Sequence, residues 1–296
     1  MRFALSRLFV PVAVVALAAT GCASKDNTTS PSGASSTSGS ASATTDACAK
    51  TALKTVSSGK LTLATDKPVY PPWFADDKPE NGKGFEGAVA AAVAKQMGYS
   101  PTEVVWVRQP FDAAIQPGPK SWDFDINEFS IKEDRKKAVD FSSPYYDVTQ
   151  AVVATGKSGA ASAKSIADLQ KVQLGAQVGT TSYDAIVNII KPTKKPRVYN
   201  TNDDALKALE NGQIAGLVTD LPTAFYMTGA QLKDGKLVGQ LPASGGATEQ
   251  FGLVLDKGSP LTTCVSKAVD ALRADNTLSQ LAQQWLSQAG GAPELK

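Results

Sequence analysis

The stretch NEFSIKEDRKKAVDFSSPYY, residues 127–146, poses the question that decides the fold. An apolar run closes on Asn127 and Glu128, Ser130 follows, and Lys132, Arg135, Lys136 and Lys137 then gather on one short segment. By itself such a charged run reads as a solvated face. An arginine placed directly after a strand that ends in polar groups asks for a second explanation, which depends on what surrounds it.

Upstream, KLTLAT (60–65) reads as a strand and is followed by DKPVYPPWFADD, a loop dense in proline and aromatics. GFEGAVAAAVAKQMG (84–98) reads as a helix, with Phe85, Val89, Val93 and Met97 recurring every four residues and Gly98 as its stop. EVVWV, a short helix at PFDAAI and the strand FDINEFSI complete a βαβ rhythm, which builds parallel sheets with helices on both faces. A second rhythm follows the two tyrosines. QAVVAT, VQLGAQ, RVYN and AGLVTD read as strands; SIADLQ, TTSYDAIVNII and TNDDALKALENG read as helices, the last with a polar cap at Thr201 or Asn202 and a Gly212 stop. FGLVLD is the last predicted strand. Two helices end the chain, one presenting Leu261, Val265, Ala268 and Leu272 on a single face and one running from Thr277 to about Trp285. The pattern is two α/β units in series, without an internal sequence repeat.

The N-terminus stands apart. Arg2 and Arg7 precede an apolar run, Leu8 to Ala19, of signal-peptide length and too short to span a bilayer comfortably. The run ends in AATGC, and the small residues before Cys22 resemble the lipobox of bacterial lipoproteins. Ala19 stands where that motif most often has leucine, and an ordinary secretory signal is the alternative. The resemblance implies residues 1–21 as signal peptide and a lipid on Cys22. Residues 22–47 then form a flexible tether rich in Ser, Thr, Gly and Ala, unable to bury enough surface to offset the ordering of its backbone. Of 30 basic residues, removing Arg2 and Arg7 leaves 28 against 28 acidic ones, a neutral body that argues against a nucleic-acid partner. The chain has no histidine, which removes Ser-His-Asp and Cys-His hydrolysis and the usual His-rich metal sites. With Cys22 assigned to lipid, Cys48 and Cys264 are an even pair in an oxidising setting and read as a disulfide, two separate buried thiols being the alternative.

Five segments, in this order, carry a resemblance to a known family: ATDKPVYPPW, GKGFEG, SIKEDRKKAVDFSSPYY, VGTTSYD and GQIAGLVTD. Together they resemble the bacterial extracytoplasmic solute-binding proteins of amino-acid ABC importers, family 3, over about Gly59 to Ser287. The resemblance implies an α/β fold of the type II periplasmic-binding-protein kind: two α/β lobes with two crossover strands and a cleft between them. Residues 48–148 plus 251–296 would form lobe 1, and 149–250 lobe 2. It also implies an amino acid as ligand, an ABC permease in the membrane as partner, no cofactor or metal, a monomeric state, and a place on the outer face of the bacterial cell membrane.

In this frame the opening question resolves. An amino acid presents a carboxylate and an ammonium, each needing compensation when water is removed. Arg135 matches the family arginine that clamps the α-carboxylate through a two-pronged contact. Ser130 would offer its N–H to that carboxylate and its hydroxyl to the ammonium. Thr180 and Thr181 start a helix in the other lobe, and Thr181 would donate to the same carboxylate. Asp220, at the end of AGLVTD, matches the carboxylate that receives the ammonium; a cap for the helix before Pro222 is its alternative role. Tyr70, Trp73 and Phe111 match positions flanking the ligand side chain, while core packing is the other use of Trp73 and Phe111. Asp66, Asn127 and Glu128 match positions near the ligand side chain or ammonium. Glu128 departs from the small or neutral residues usual there and favours a cationic ligand over a neutral polar one, unless only its backbone is used. The rivals are an enzyme on the same scaffold, dehydratase-like, with Glu128 as acid/base, and a ligand-sensing subunit acting on a signalling partner.

Overall fold

The structure, a computed structural model, describes residues 46–243, 247–287 and 291–296. The expected signal peptide at 1–21, Cys22 and the tether up to residue 45 lie outside the described residues.

The first lobe opens with strand β1 (Leu61–Thr65), buried throughout. Helix α1 (Phe85–Gln96) follows the aromatic loop and is fastened to it. The N–H of Phe85 donates to the Pro72 carbonyl, and those of Glu86 and Gly87 to the Trp73 carbonyl, so the loop itself satisfies the orphan donors of the first turn. Gly84 makes this approach possible. It sits at φ 88°, and a Cβ there would fall 2.4 Å from the Trp73 carbonyl oxygen. Strand β2 (Val104–Arg108), helix α2 (Phe111–Ala114), strand β3 (Phe124–Asp125), helix α3 (Glu133–Lys136) and strand β4 (Val139–Phe141) complete this part of the lobe. Strand β5 (Tyr146–Val148) crosses to the second lobe.

The second lobe is built from β6 (Gln150–Thr155), α4 (Ile166–Leu169), β7 (Leu174–Gln177), α5 (Thr181–Ala185), β8 (Arg197–Tyr199), α6 (Asn202–Glu210), β9 (Gly216–Asp220), α7 (Leu221–Tyr226) and β10 (Gly235–Gln240). Helices α5 and α7 each run on into a π-helical turn, Ile186–Ile190 and Met227–Gln231. The chain returns through β11 (Glu249–Phe251) to β12 (Val254–Asp256) and closes with α8 (Thr262–Ala274) and α9 (Thr277–Leu286).

Each lobe holds one five-stranded mixed sheet, ordered β2-β1-β3-β12-β4 and β10-β6-β9-β7-β8. Along β6 the side chains alternate between layers: Ala151 and Val153 join the core with Leu206, Leu209 and Leu217, whereas Val152 and Ala154 join Leu169, Leu174 and Ile186 on the other face. The lobes are joined by a ribbon in which β11 runs antiparallel to β5, with Glu249 opposite Val148 and Phe251 opposite Tyr146. Phe251, Tyr145 and Val148 sink into the core of the first lobe, so the ribbon is rooted there.

Several expectations change. Only Phe124–Asp125 of FDINEFSI pairs as a continuous strand, because Glu128 turns the backbone at φ 52° and Ser130 makes only an isolated bridge to Phe251. FGLVLD is not one strand. Gly252 breaks it, in a position where a Cβ would lie 2.9 Å from Ile131, and its two halves join different sheets. Residues 291–296, expected in the first lobe, lie on the second. Gln240 donates to the Pro293 carbonyl at 3.0 Å and accepts from the Leu295 N–H at 2.9 Å, while Leu295 and Ala292 enter the two cores. The tail thereby covers the edge that β10 would otherwise expose. Cys48 and Cys264 are bonded, their Cα atoms 5.3 Å apart and 216 positions apart in sequence. Closing so long a loop contributes about 5 kcal/mol in the chain-entropy picture. Among the described residues no helix is long and apolar enough to cross a membrane.

Candidate functional site

A cavity of about 120 Å³ lies between the lobes, room for one small solute. All eleven residues proposed from the sequence as ligand contacts line it.

Arg135, on α3, is 7% exposed. Its Nη1 donates to the Ser130 carbonyl at 2.7 Å and its Nη2 to the Gly179 carbonyl, across the cleft, at 2.8 Å. The guanidinium also lies over the Phe111 ring, 5.4 Å from its centre, and Phe111 is stacked on Phe129 at 4.8 Å. Phe111 is therefore both core and cavity wall. Burial pushes the Arg135 guanidinium down from its ordinary range, and Glu249, Asp184 and Asp220 oppose that shift. A buried cation held by neutral carbonyls retains charge with which to meet an anion.

Asp220 ends β9 and precedes Pro222, but its side chain makes no capping hydrogen bond to α7. It accepts instead from Gln150 Nε2 at 2.6 Å and lies against the Glu128 carboxyl from the other lobe. Glu128 is aimed there by its left-handed backbone, which is held by its own N–H donating to Glu86 at 2.6 Å, and its carboxyl accepts from Thr223 at 2.7 Å. Both acids are pushed well above the carboxylate range. For Glu128 the causes are burial, then the charges of Asp220 and Glu86; for Asp220, burial, then Glu249. Two such groups cannot both ionise cheaply while they face each other out of water. Behind them Glu86 is fully buried, accepts from the Tyr145 hydroxyl and is pushed up to about 7, chiefly by burial.

Trp73 packs against Phe85, Tyr146 and Phe251, and its Nε1 donates across the cleft to Thr223 at 2.7 Å. Tyr70 donates to Asp203 of the second lobe at 2.7 Å. Thr180 caps α5 by accepting from the Tyr183 N–H, and Thr181 begins that helix. The Asp66 carboxylate accepts from the N–H groups of Lys67 at 2.7 Å and Phe111 at 3.2 Å, and its carboxyl is raised chiefly by burial. Asn127 lines the cavity beside Glu128. Lys132 and Asp184 pair across the rim. The lobes are therefore closed on each other through contacts that their own side chains supply.

Sequence reasoning missed Gln150, Thr223, Asp203 and Glu249. Asp203 and Thr223 were hidden in helical first turns, where such residues ordinarily act as caps. Glu249 sits in ATEQ, a segment with no apolar period to mark it. Among the described residues no group of three or more His, Cys, Asp or Glu side chains is placed to hold a metal.

The chain matches the bacterial extracellular solute-binding proteins, family 3, over residues 61–288. It belongs to that family. An L-arginine-binding protein of Pseudomonas aeruginosa is 28% identical over 249 residues, 76% of this chain and 90% of the relative. A solved structure of an ancestral arginine-binding protein bound to arginine is 30% identical with a TM-score of 0.61, covering 77% of this chain and 98% of that one. An ancestral amino acid-binding protein, described as a precursor of cyclohexadienyl dehydratase, is 29% identical with a TM-score of 0.61, covering 77% and 95%. These relatives are named as binding proteins, and the fold is the two-lobed α/β one expected.

The buried acids make stability depend on pH. Glu86 has its folded value raised from 4.5 to about 7, so the stability it allows is complete below 4.5 and is lost as pH rises through 7. Glu86→Gln keeps an acceptor for Tyr145 and Glu128 while removing the charge. Thermal melts of the ligand-free proteins should show the variant gaining on the parent between pH 4.5 and 7 and levelling off above. A constant difference across that window would show that Glu86 does not titrate there.

Proposed function

We propose that this chain captures a cationic amino acid between its lobes and hands it, chemically unchanged, to an ABC permease, while a lipid on Cys22 holds it at the outer face of the cell membrane. The observation that supports this reading best is the pairing of Glu128 from one lobe with Asp220 from the other in a shared buried cavity. Removed from water, those acids are poorly compensated; an ammonium placed between them relieves both. Arg135 stands in the same cavity to meet the α-carboxylate. Asp66 and Asp203 line the same cavity with Tyr70, Phe111 and Tyr226, surfaces suited to an apolar stem that ends in a second positive charge.

Closure follows from this arrangement. A zwitterion that engages Asp220 of one lobe and Glu128 and Arg135 of the other is better compensated in the closed state than in the open one. That differential affinity is what shifts the equilibrium on which a permease acts. The named ligands of the relatives, arginine among them, agree with a cationic ligand. Catalysis is not needed for this role: Glu128 is committed to Thr223 and Asp220 and serves as part of the receptor. The signal sequence and Cys22 supply the anchor, and the tether expected up to residue 47 the reach between membrane and folded body.

In calorimetry, arginine, lysine or ornithine should bind more tightly than glutamine and be recovered unchanged. Asp220→Asn should weaken binding by about 30-fold or more while leaving the melting temperature equal or higher. Parental affinity in the variant, or a preference for neutral amino acids, would contradict the reading. Cys22→Ser should move the protein from the membrane fraction to the soluble one, and continued membrane retention would contradict the anchor.

A further inference from the structure

The hydroxyls of Ser130 and Thr181 face each other across the cleft, their oxygens 3.1 Å apart, and both line the cavity. Each has a single proton to donate. Both protons are directed at the same acceptor, Oε1 of Glu249, the first residue of the returning crossover strand. The other oxygen of Glu249 accepts from Gln150 Nε2 at 3.0 Å. Gln150 is itself fixed: its Oε1 accepts from Ser182 at 2.7 Å, so its amide N–H groups must face Glu249 and Asp220. Glu249 stands behind the wall, since Ser130, Thr181 and Asp220 line the cavity and it does not.

Both hydroxyls donate to one carboxyl oxygen, so Glu249 fixes the direction of both bonds. With their protons turned away, the two hydroxyl oxygens present only lone pairs to the cavity. Next to Asp220, lone pairs form a wall that welcomes N–H donors and repels a carboxylate. We propose that Glu249 is a specificity-determining positioning residue: by holding the Ser130 and Thr181 hydroxyls as acceptors, it makes those side chains read an ammonium, and leaves the ligand's carboxylate to Arg135 and backbone N–H groups. A crossover-strand residue thus sets ligand chemistry from outside the cavity. The inference rests on the amino-acid reading given under Proposed function and adds to it which protein group sets the polarity of the wall.

The test compares three ligands: arginine, 5-guanidinopentanoate, which lacks the α-ammonium, and agmatine, which lacks the carboxylate. Each is titrated calorimetrically into the parent, Glu249→Gln and Ser130→Ala, with circular dichroism to establish folding. The amide of Glu249→Gln releases at least one hydroxyl proton toward the cavity. Arginine and agmatine should each weaken by about tenfold or more, a loss the size of one hydrogen bond to a charged group, while 5-guanidinopentanoate holds or improves. Ser130→Ala, which keeps Glu249, should give the same pattern and decides the matter if Glu249→Gln does not fold. Equal loss for all three ligands, or no loss for arginine, would overturn the inference and leave Glu249 a structural strut. A parent that binds no α-amino acid at all would overturn the reading of the site and this inference with it, whereas a parent that binds while the ratio stays fixed overturns this inference alone.

Discussion

Two carboxyl groups that belong to different lobes and are buried side by side govern this molecule. Glu128 and Asp220 are buried away from water, and each raises the cost of ionising the other. The groups around them determine how that cost is met. Thr223 donates to one, Gln150 donates to the other, and Arg135 brings a nearby positive charge that is itself held by two carbonyls. Where no positive charge lies between them, both acids are held well above the ordinary carboxylate range. On the reading proposed above, a cation compensates both acids, and that difference is the free energy available to select a ligand.

The backbone is shaped to keep this pair in register. Gly84 lets α1 begin against the Trp73 carbonyl; α1 carries Glu86, Glu86 accepts from the Glu128 N–H, and that contact holds the left-handed turn aiming Glu128 at the cleft. On the other side, β6 and β9 pair Gln150 with Asp220, which places the amide beside the carboxylate it serves. The crossover ribbon then brings Glu249 between the two halves, where one carboxylate collects protons from both. The crossover ribbon is therefore part of the polar network as well as the connection between the lobes.

Much of this was legible in the chain. Alternation in QAVVAT and the four-residue recurrence of Phe85, Val89, Val93 and Met97 mark a strand and a helix because each buries its apolar side chains. Arg135, Ser130, Thr181 and Asp220 were legible through short segments in a fixed order. What could not be read depends on contacts between segments far apart. Gly252 looks like any strand glycine until Ile131 is seen against it, and Leu295 looks like a frayed end until β10 is seen to need a cover. Glu128 reads as a carboxylate near the ligand, but only its positive φ shows that it turns toward Asp220. Glu249 has no local signature, since its role exists only where Ser130, Thr181 and Gln150 converge.

Burial and mutual repulsion raise both acids, so an ammonium set between them should lower both and release protons. The most direct measurement is the heat of arginine binding near pH 7 in two buffers of different ionisation enthalpy, for the parent and for Asp220→Asn. Proton release on binding to the parent, reduced or absent in the variant, is the predicted result. Tight binding with no proton exchanged, or with proton uptake, would contradict the facing acid pair as the heart of the site.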